Sequence, residues 1–218
     1  GHNAESQKIN VIYHGYNRRY EIRDRDIKNI NKILQKYNLE KPYLLSVGRL
    51  EEKKNTVRII EAFDLLKVRS PKSEVQLVLV GKPGYGYEKI KNVIEASEYK
   101  DDIITPGWVA EEDLPCLMSE AEVFIFPSLS EGFGLPVLQA LAAGVPVVAS
   151  RGAALEEIGG DACWYVDPKN VEEISNLIIK LLSDFELRNN LVNSGLARVK
   201  NFNWQKCAQE TLSLLLGL

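Results

Sequence analysis

Three stretches of the chain, LVLV, VFIF and PVVAS, are apolar on successive residues, and segments with helical character lie between them. A strand that is apolar at every position offers no face to water, so both faces must be covered. Helices that alternate with strands cover both faces through crossovers, which are right-handed and make neighbouring strands parallel. The expected fold is therefore α/β, a doubly wound, Rossmann-like parallel sheet. Candidate strands fall at 9–13, 43–47, 75–80, 103–105, 123–126, 145–149 and 163–166. Candidate helices fall at 56–68, 87–97, 111–119, 136–143, 171–182, 184–200 and 204–216. A modest helix running to Tyr37 follows the charge-dense segment 18–26, which reads as a linker or surface lead-in.

The 218 residues suit one large domain or a domain with an appended segment, and 45% hydrophobic residues are enough for a sizeable core. A net charge of -3 argues against a nucleic-acid binder, which usually carries a basic face. No apolar run approaches the roughly 20 residues that a membrane span needs. Cys116, Cys163 and Cys207 are far apart, with no CxxC or His/Cys cluster, so they are expected to be buried thiols in a reducing compartment. Residues 1–7 read as a tag remnant, from Gly1-His2, and a disordered start.

In a doubly wound sheet ligands bind beyond the carboxyl ends of the strands, and three loops there carry chemistry. In SVGRLEEKKN, Gly48 permits a tight turn, Arg49 offers a planar fork and Lys54 a point charge, and Asn55 is placed to cap the next helix. Two cations beside a helix N-terminus suit a diphosphate. A solvated charged loop is the alternative, since Glu51, Glu52 and Lys53 share the segment. The glycines of GKPGYGYEK, residues 81–89, follow neither the dinucleotide spacing nor the P-loop pattern, which leaves a flexible loop over a ligand or a plain turn. In SLSEGFGLPVLQALAAGVPVVAS, Pro136 stands near a helix start and Gly144 at its end. Gly132 and Gly134 leave backbone N–H groups accessible at that start. An acid there, Glu131, makes sense as an acceptor of sugar hydroxyls beside phosphates, or as a plain capping acid. Gln139 lies eight residues further on, on the same helix.

The combination SVGRLxxxKN, LVLVGKPGYGYE and PGWVAEEDLPCLMSEAEVFIFPSLSEGFGLPVLQALAAGVPVVAS resembles the C-terminal, donor-binding domain of the family-4 (group 1) glycosyltransferases of the GT-B fold. The resemblance runs from about Lys8 to Leu215 and includes GDACWYVDP and FNWQKCAQETL. It implies that Arg49 and Lys54, beside Gly48, hold the donor diphosphate. Glu131 matches the first acid of the family's E-x7-E signature, which contacts the donor sugar. Gly132, Phe133, Gly134 and Leu135 match the loop that meets sugar and phosphates, and Trp108 and Val109 the loop that lines the base. Glu131, Arg49 and Lys54 are the catalytic candidates. The second acid of the signature, which receives the ribose hydroxyls, falls on Gln139, where this chain departs from the family. An amide has one neutral acceptor oxygen, so the exchange should weaken ribose binding by about 1 kcal/mol.

The resemblance further implies a retaining sugar transfer from a GDP- or UDP-sugar, with no prosthetic group and no metal ligand set. Asp24-Arg25-Asp26 spells D-x-D, but in the charged lead-in rather than after a buried strand. Residues 8–202 form the nucleotide-sugar-binding domain, and 203–218 a helix that in the family returns to an N-terminal, acceptor-binding domain absent from this chain. The isolated chain is then expected to bind donor without transferring it. A cytoplasmic setting follows, with membrane association only through the missing domain. GDP-mannose leads the donor expectation, with UDP-sugars next. The competing readings are a catalytically silent donor-binding module, a sugar-nucleotide epimerase on the same fold, and a nicotinamide-dependent dehydrogenase, against which the absent G-x-G-x-x-G argues.

Overall fold

The computed structural model describes residues 9–21 and 27–217. Its elements alternate along the chain: α1 (Ile27–Lys36), β1 (Tyr43–Val47), α2 (Thr56–Arg69), β2 (Gln76–Val80), α3 (Tyr87–Ala96) and β3 (Ile103–Gly107). The second half continues with α4 (Leu114–Ser119), β4 (Val123–Phe126), α5 (Leu135–Ala142), β5 (Val147–Ser150), α6 (Ala153–Gly159) and β6 (Cys163–Val166). It closes with α7 (Val171–Ser183), α8 (Phe185–Arg198) and α9 (Trp204–Leu216).

The six strands form one sheet in the order β3-β2-β1-β4-β5-β6, and every pairing is parallel. The continuous apolar runs behave as their composition requires: all four residues of β4 and of β5 are buried. Successive strand residues face opposite ways, so one sheet supports two cores. Phe124, Phe126, Val147 and Ala149 pack on one face, under α5. Leu77, Leu79, Ile125 and Val148 pack on the other, under α2 and α7.

The last three helices start at side-chain caps, in which an Asn or Asp oxygen takes an otherwise unsatisfied N–H. Asn170 accepts from the Glu173 N–H, Asp184 from Leu187 and Asn203 from Lys206. Near α4, the expected helix at 111–119 shortens to a start at Leu114, with Pro115 in the first turn, where its missing N–H costs nothing. Strand β5 begins at Val147, directly after Pro146, whose carbonyl accepts from the Phe124 N–H.

The expected strand at 9–13 does not form. Residues 9–17 take neither strand nor helix, and Ile9 and Val11 are 63% and 68% exposed. The segment runs beside α9, where Asn10, Val11 and Ile12 line a groove with Gln209, Ser213 and Leu214. Beside a helix, the segment pairs with none of the six strands. Gly15 permits that approach, because a Cβ there would stand 2.2 Å from the Trp204 nitrogen. Helix α6 was not expected, since its seven residues are too few for helical periodicity to show. The Asp24-Arg25-Asp26 tripeptide and the expected disordered start at 1–7 lie outside the described residues. Cys163 is buried, Cys116 and Cys207 are half-buried, and no disulfide joins them. Burial pushes the Cys163 thiol up to about 12. Among the described residues no helix is long and apolar enough to cross a membrane.

Candidate functional site

Strand order reverses between β1 and β4, so the loops that leave their carboxyl ends diverge around a crevice, the usual ligand position in such sheets. The loop after β1 is fastened to the loop after β2. The Gly48 N–H donates to the Val80 carbonyl at 2.9 Å, Leu50 N–H to Lys82 at 3.0 Å, and Gly84 N–H to Leu50 at 3.0 Å. The fit requires glycine at 81, where a Cβ would lie 1.8 Å from the Gly48 oxygen.

Asn55 corrects one expectation. It precedes α2 in a left-handed conformation, φ 61°, and its side chain makes no capping bond. The buried Nδ2 instead donates to the carbonyls of Pro127 (3.0 Å) and Pro168 (2.6 Å), while Oδ1 accepts from Arg58 at 2.9 Å. One amide therefore ties the exits of β1, β4 and β6. The Leu129 N–H adds a bond to the Lys53 carbonyl at 2.9 Å.

This stitching brings two sequence-predicted residues into contact. Lys54 Nζ donates to Glu131 Oε1 at 2.5 Å, with side-chain exposures of 20% and 11%, and the ammonium stands 4.9 Å from the centre of the Phe126 ring. Three residues on, Gly134 starts α5 with φ 99°, and a Cβ there would come within 2.5 Å of Leu155 Cδ2. The backbone N–H groups of Gly132, Phe133, Gly134 and Leu135 make no hydrogen bond among the described residues. A row of unsatisfied donors at the positive end of a helix, beside an ammonium, suits an anion.

The remaining candidates are placed as follows. Arg49 is exposed and forms no ion pair among the described residues. Phe133 is half-buried, its ring 4.9 Å from that of His14 and 6.4 Å from that of Phe202, so the loop leans on residues from both ends of the chain. Trp108 is 64% exposed, with Lys82 Nζ 5.9 Å from its ring centre, whereas the Val109 side chain is in the core and leaves only its backbone to a ligand. Leu135 is exposed. Gln139 is half-buried and makes no side-chain hydrogen bond among the described residues. Sequence reasoning gave no role to Lys82 or His14; only Lys82, inside the glycine-rich loop, left a signal. A groove of about 590 Å³ along β6 and α7, lined by Trp164, Asn170, Glu172 and Lys180, contains none of the candidates. Among the described residues no three His, Cys, Asp or Glu side chains are grouped to hold a metal.

Solved structures share this architecture. A glycosyltransferase from Rickettsia africae superposes over 96% of this chain and 57% of its own, with a TM-score of 0.86 and 20% identity. Anabaena HepE, solved in complex with UDP-glucose, matches 99% of this chain and 59% of its own at a TM-score of 0.86 and 20% identity. At those identities the likeness defines the class of fold, that of the GT-B glycosyltransferases. The family follows from sequence: the model for glycosyl transferases group 1 matches residues 27–198, and the chain belongs to that family. O-antigen chain mannosyltransferase B of Escherichia coli is 37% identical over 182 residues, 83% of this chain and 48% of the relative. Mannosylfructose-phosphate synthase of Agrobacterium fabrum is 28% identical over 96% of this chain and 48% of its own length. The chain thus spans about half the length of these relatives.

Proposed function

We propose that this chain is the donor-binding half of a retaining glycosyltransferase that moves a sugar from a nucleotide sugar to a glycan or lipid acceptor. The observation that carries the reading is the contact between Lys54 and Glu131 at the strand-order reversal, beside the unsatisfied N–H groups that open α5. Lys54, Arg49 and those N–H groups receive the diphosphate and stabilise the charge that grows on it as the glycosidic bond breaks. Glu131 accepts hydroxyl protons from the sugar. Trp108 and the Val109 backbone line the base, and Gln139 takes the ribose hydroxyls. No side chain in this constellation is a ready base for the acceptor, which suits retention assisted by the leaving phosphate itself.

GDP-mannose is the favoured donor, because relatives named as mannosyltransferases match most of the chain, with UDP-sugars as the alternative. The acceptor surface belongs to a second domain, to which α9 turns: its Leu212, Leu214, Leu215 and Leu216 are exposed and none of its described residues is buried. The setting is cytoplasmic polysaccharide assembly, with any membrane contact made through the second domain. Gln139 favours a second reading, a donor-binding module without catalysis.

Thermal-shift measurements against GDP-mannose, GDP and a panel of UDP-sugars test the proposal. A shift with GDP-mannose exceeding that with GDP, and removed by Glu131→Ala, is expected. No shift with any nucleotide sugar overturns it. Transfer by the full-length parent separates the enzyme from the silent module.

A further inference from the structure

The loop that follows β3 is held from behind by a network on which the proposed function places no demand. The Tyr37 hydroxyl, just past α1, accepts the Ala110 backbone N–H at 3.2 Å and donates to Asp113 Oδ2 at 2.8 Å. Lys36 Nζ donates to the same carboxylate oxygen at 2.6 Å. Hydrogen bonds from Lys36 and Tyr37 hold the Asp113 carboxyl below its usual range, so it stays a charged acceptor. The carbonyl of Ala110 in turn accepts the N–H groups of Asp113 and Leu114 at 3.0 and 3.1 Å, and the Gly107 carbonyl accepts Gly81 N–H at 2.9 Å. Only Trp108 and Val109 lie between these two fixed points. Their N–H groups make no backbone hydrogen bond, while the Val109 side chain is anchored in the core.

We infer that Tyr37, clamped by Asp113 and Lys36, is a positioning residue that fixes the 108–109 backbone for the nucleobase half of the donor. The inference rests on the donor-binding reading above and adds where the selectivity for a nucleoside over a bare diphosphate originates. A segment with two free amides binds a planar heterocycle well only when it is already ordered, since ordering it on binding subtracts from affinity. Tyr37 supplies that order from a position 71 residues earlier than Trp108 in sequence without itself reaching the ligand.

Calorimetry of wild type and Tyr37→Phe with GDP, UDP and inorganic pyrophosphate tests the inference. The expected result is a roughly three- to tenfold rise in Kd for the tighter nucleoside diphosphate, the size of one lost hydrogen bond, with pyrophosphate Kd unchanged. An unchanged nucleoside diphosphate Kd, or an equal loss for pyrophosphate, overturns the inference while leaving the donor site intact. Wild-type protein that binds none of the three overturns the donor reading and the inference with it. Hydrogen exchange on wild type gives a check that does not depend on the variant folding. The Ala110 amide is expected to exchange more slowly than those of Trp108 and Val109, and equal rates overturn the clamp.

Discussion

Replacing Lys54 with methionine keeps a flexible stem and removes the ammonium that faces Glu131. Both side chains are mostly shielded, at 20% and 11% exposure, so the charge acts in a medium less polar than water. An ammonium has three donors and can keep the carboxylate while reaching a phosphate oxygen. Its attraction for one unit of charge at about 4 Å is near 4 kcal/mol at an effective dielectric of about 20, before desolvation is subtracted. What survives should match a hydrogen bond to a charged group, about 1.5–3 kcal/mol. That corresponds to a rise in nucleoside diphosphate Kd of roughly 12- to 150-fold. The variant also leaves Glu131 unneutralised toward the phosphates, which pushes the effect the same way. Glu131→Gln separates the two roles, because it removes that repulsion and keeps an acceptor oxygen. Its expected outcome is an unchanged or lower Kd for the nucleoside diphosphate, with a reduction of the added affinity that the sugar brings, since a neutral acceptor replaces a charged one. Isothermal titration of both variants with GDP or UDP and the matching nucleotide sugar reads these values. A Lys54→Met Kd within about twofold of wild type would refute the reasoning, since an interaction below 0.5 kcal/mol lies outside the charge-assisted range.

Three further outcomes follow from the same geometry. Gly134→Ala should lower stability by about 1–3 kcal/mol, from the left-handed backbone and the Leu155 contact, whereas Gly132→Ala, with nothing within 4 Å of its Cβ, should unfold like wild type and still weaken nucleotide binding; thermal denaturation paired with calorimetry reads both. Asn55→Ala leaves the Pro127 and Pro168 carbonyls without this partner and should cost about 2–4 kcal/mol in urea unfolding. Gln139→Glu should alter nucleotide affinity by about 1 kcal/mol with an unchanged unfolding midpoint, and an unaltered affinity for both GDP and UDP takes Gln139 out of the site.

The sheet was legible because its strands are buried on both faces and therefore read as unbroken apolar runs, as in Val123–Phe126. Parallel order followed from the helices between them. The strand expected at 9–13 failed because a short β-rich run records only a local preference, and a strand forms only where a ladder partner exists: Ile9 and Val11 stay exposed and the segment pairs with none of the six strands. The pair Lys54 and Glu131 lies 77 residues apart, and only the likeness of whole motifs to a known family pointed to their proximity. Asn55 was placed correctly as the residue before a helix and given the wrong task. Its partners, Pro127 and Pro168, are 72 and 113 residues away and leave no local trace. The Tyr37–Asp113 clamp was invisible for the same reason: hydroxyl and carboxylate meet only once the chain has folded.

The central claim is that the loops after β1 and β4, with the start of α5, form the seat of a diphosphate. A crystal structure of the protein soaked with GDP tests it most directly. The diphosphate is expected within hydrogen-bond reach of Lys54 Nζ and the Gly134 amide, with the guanine toward Trp108. A nucleotide found instead in the groove along β6 and α7, with the Lys54–Glu131 contact untouched, would contradict it.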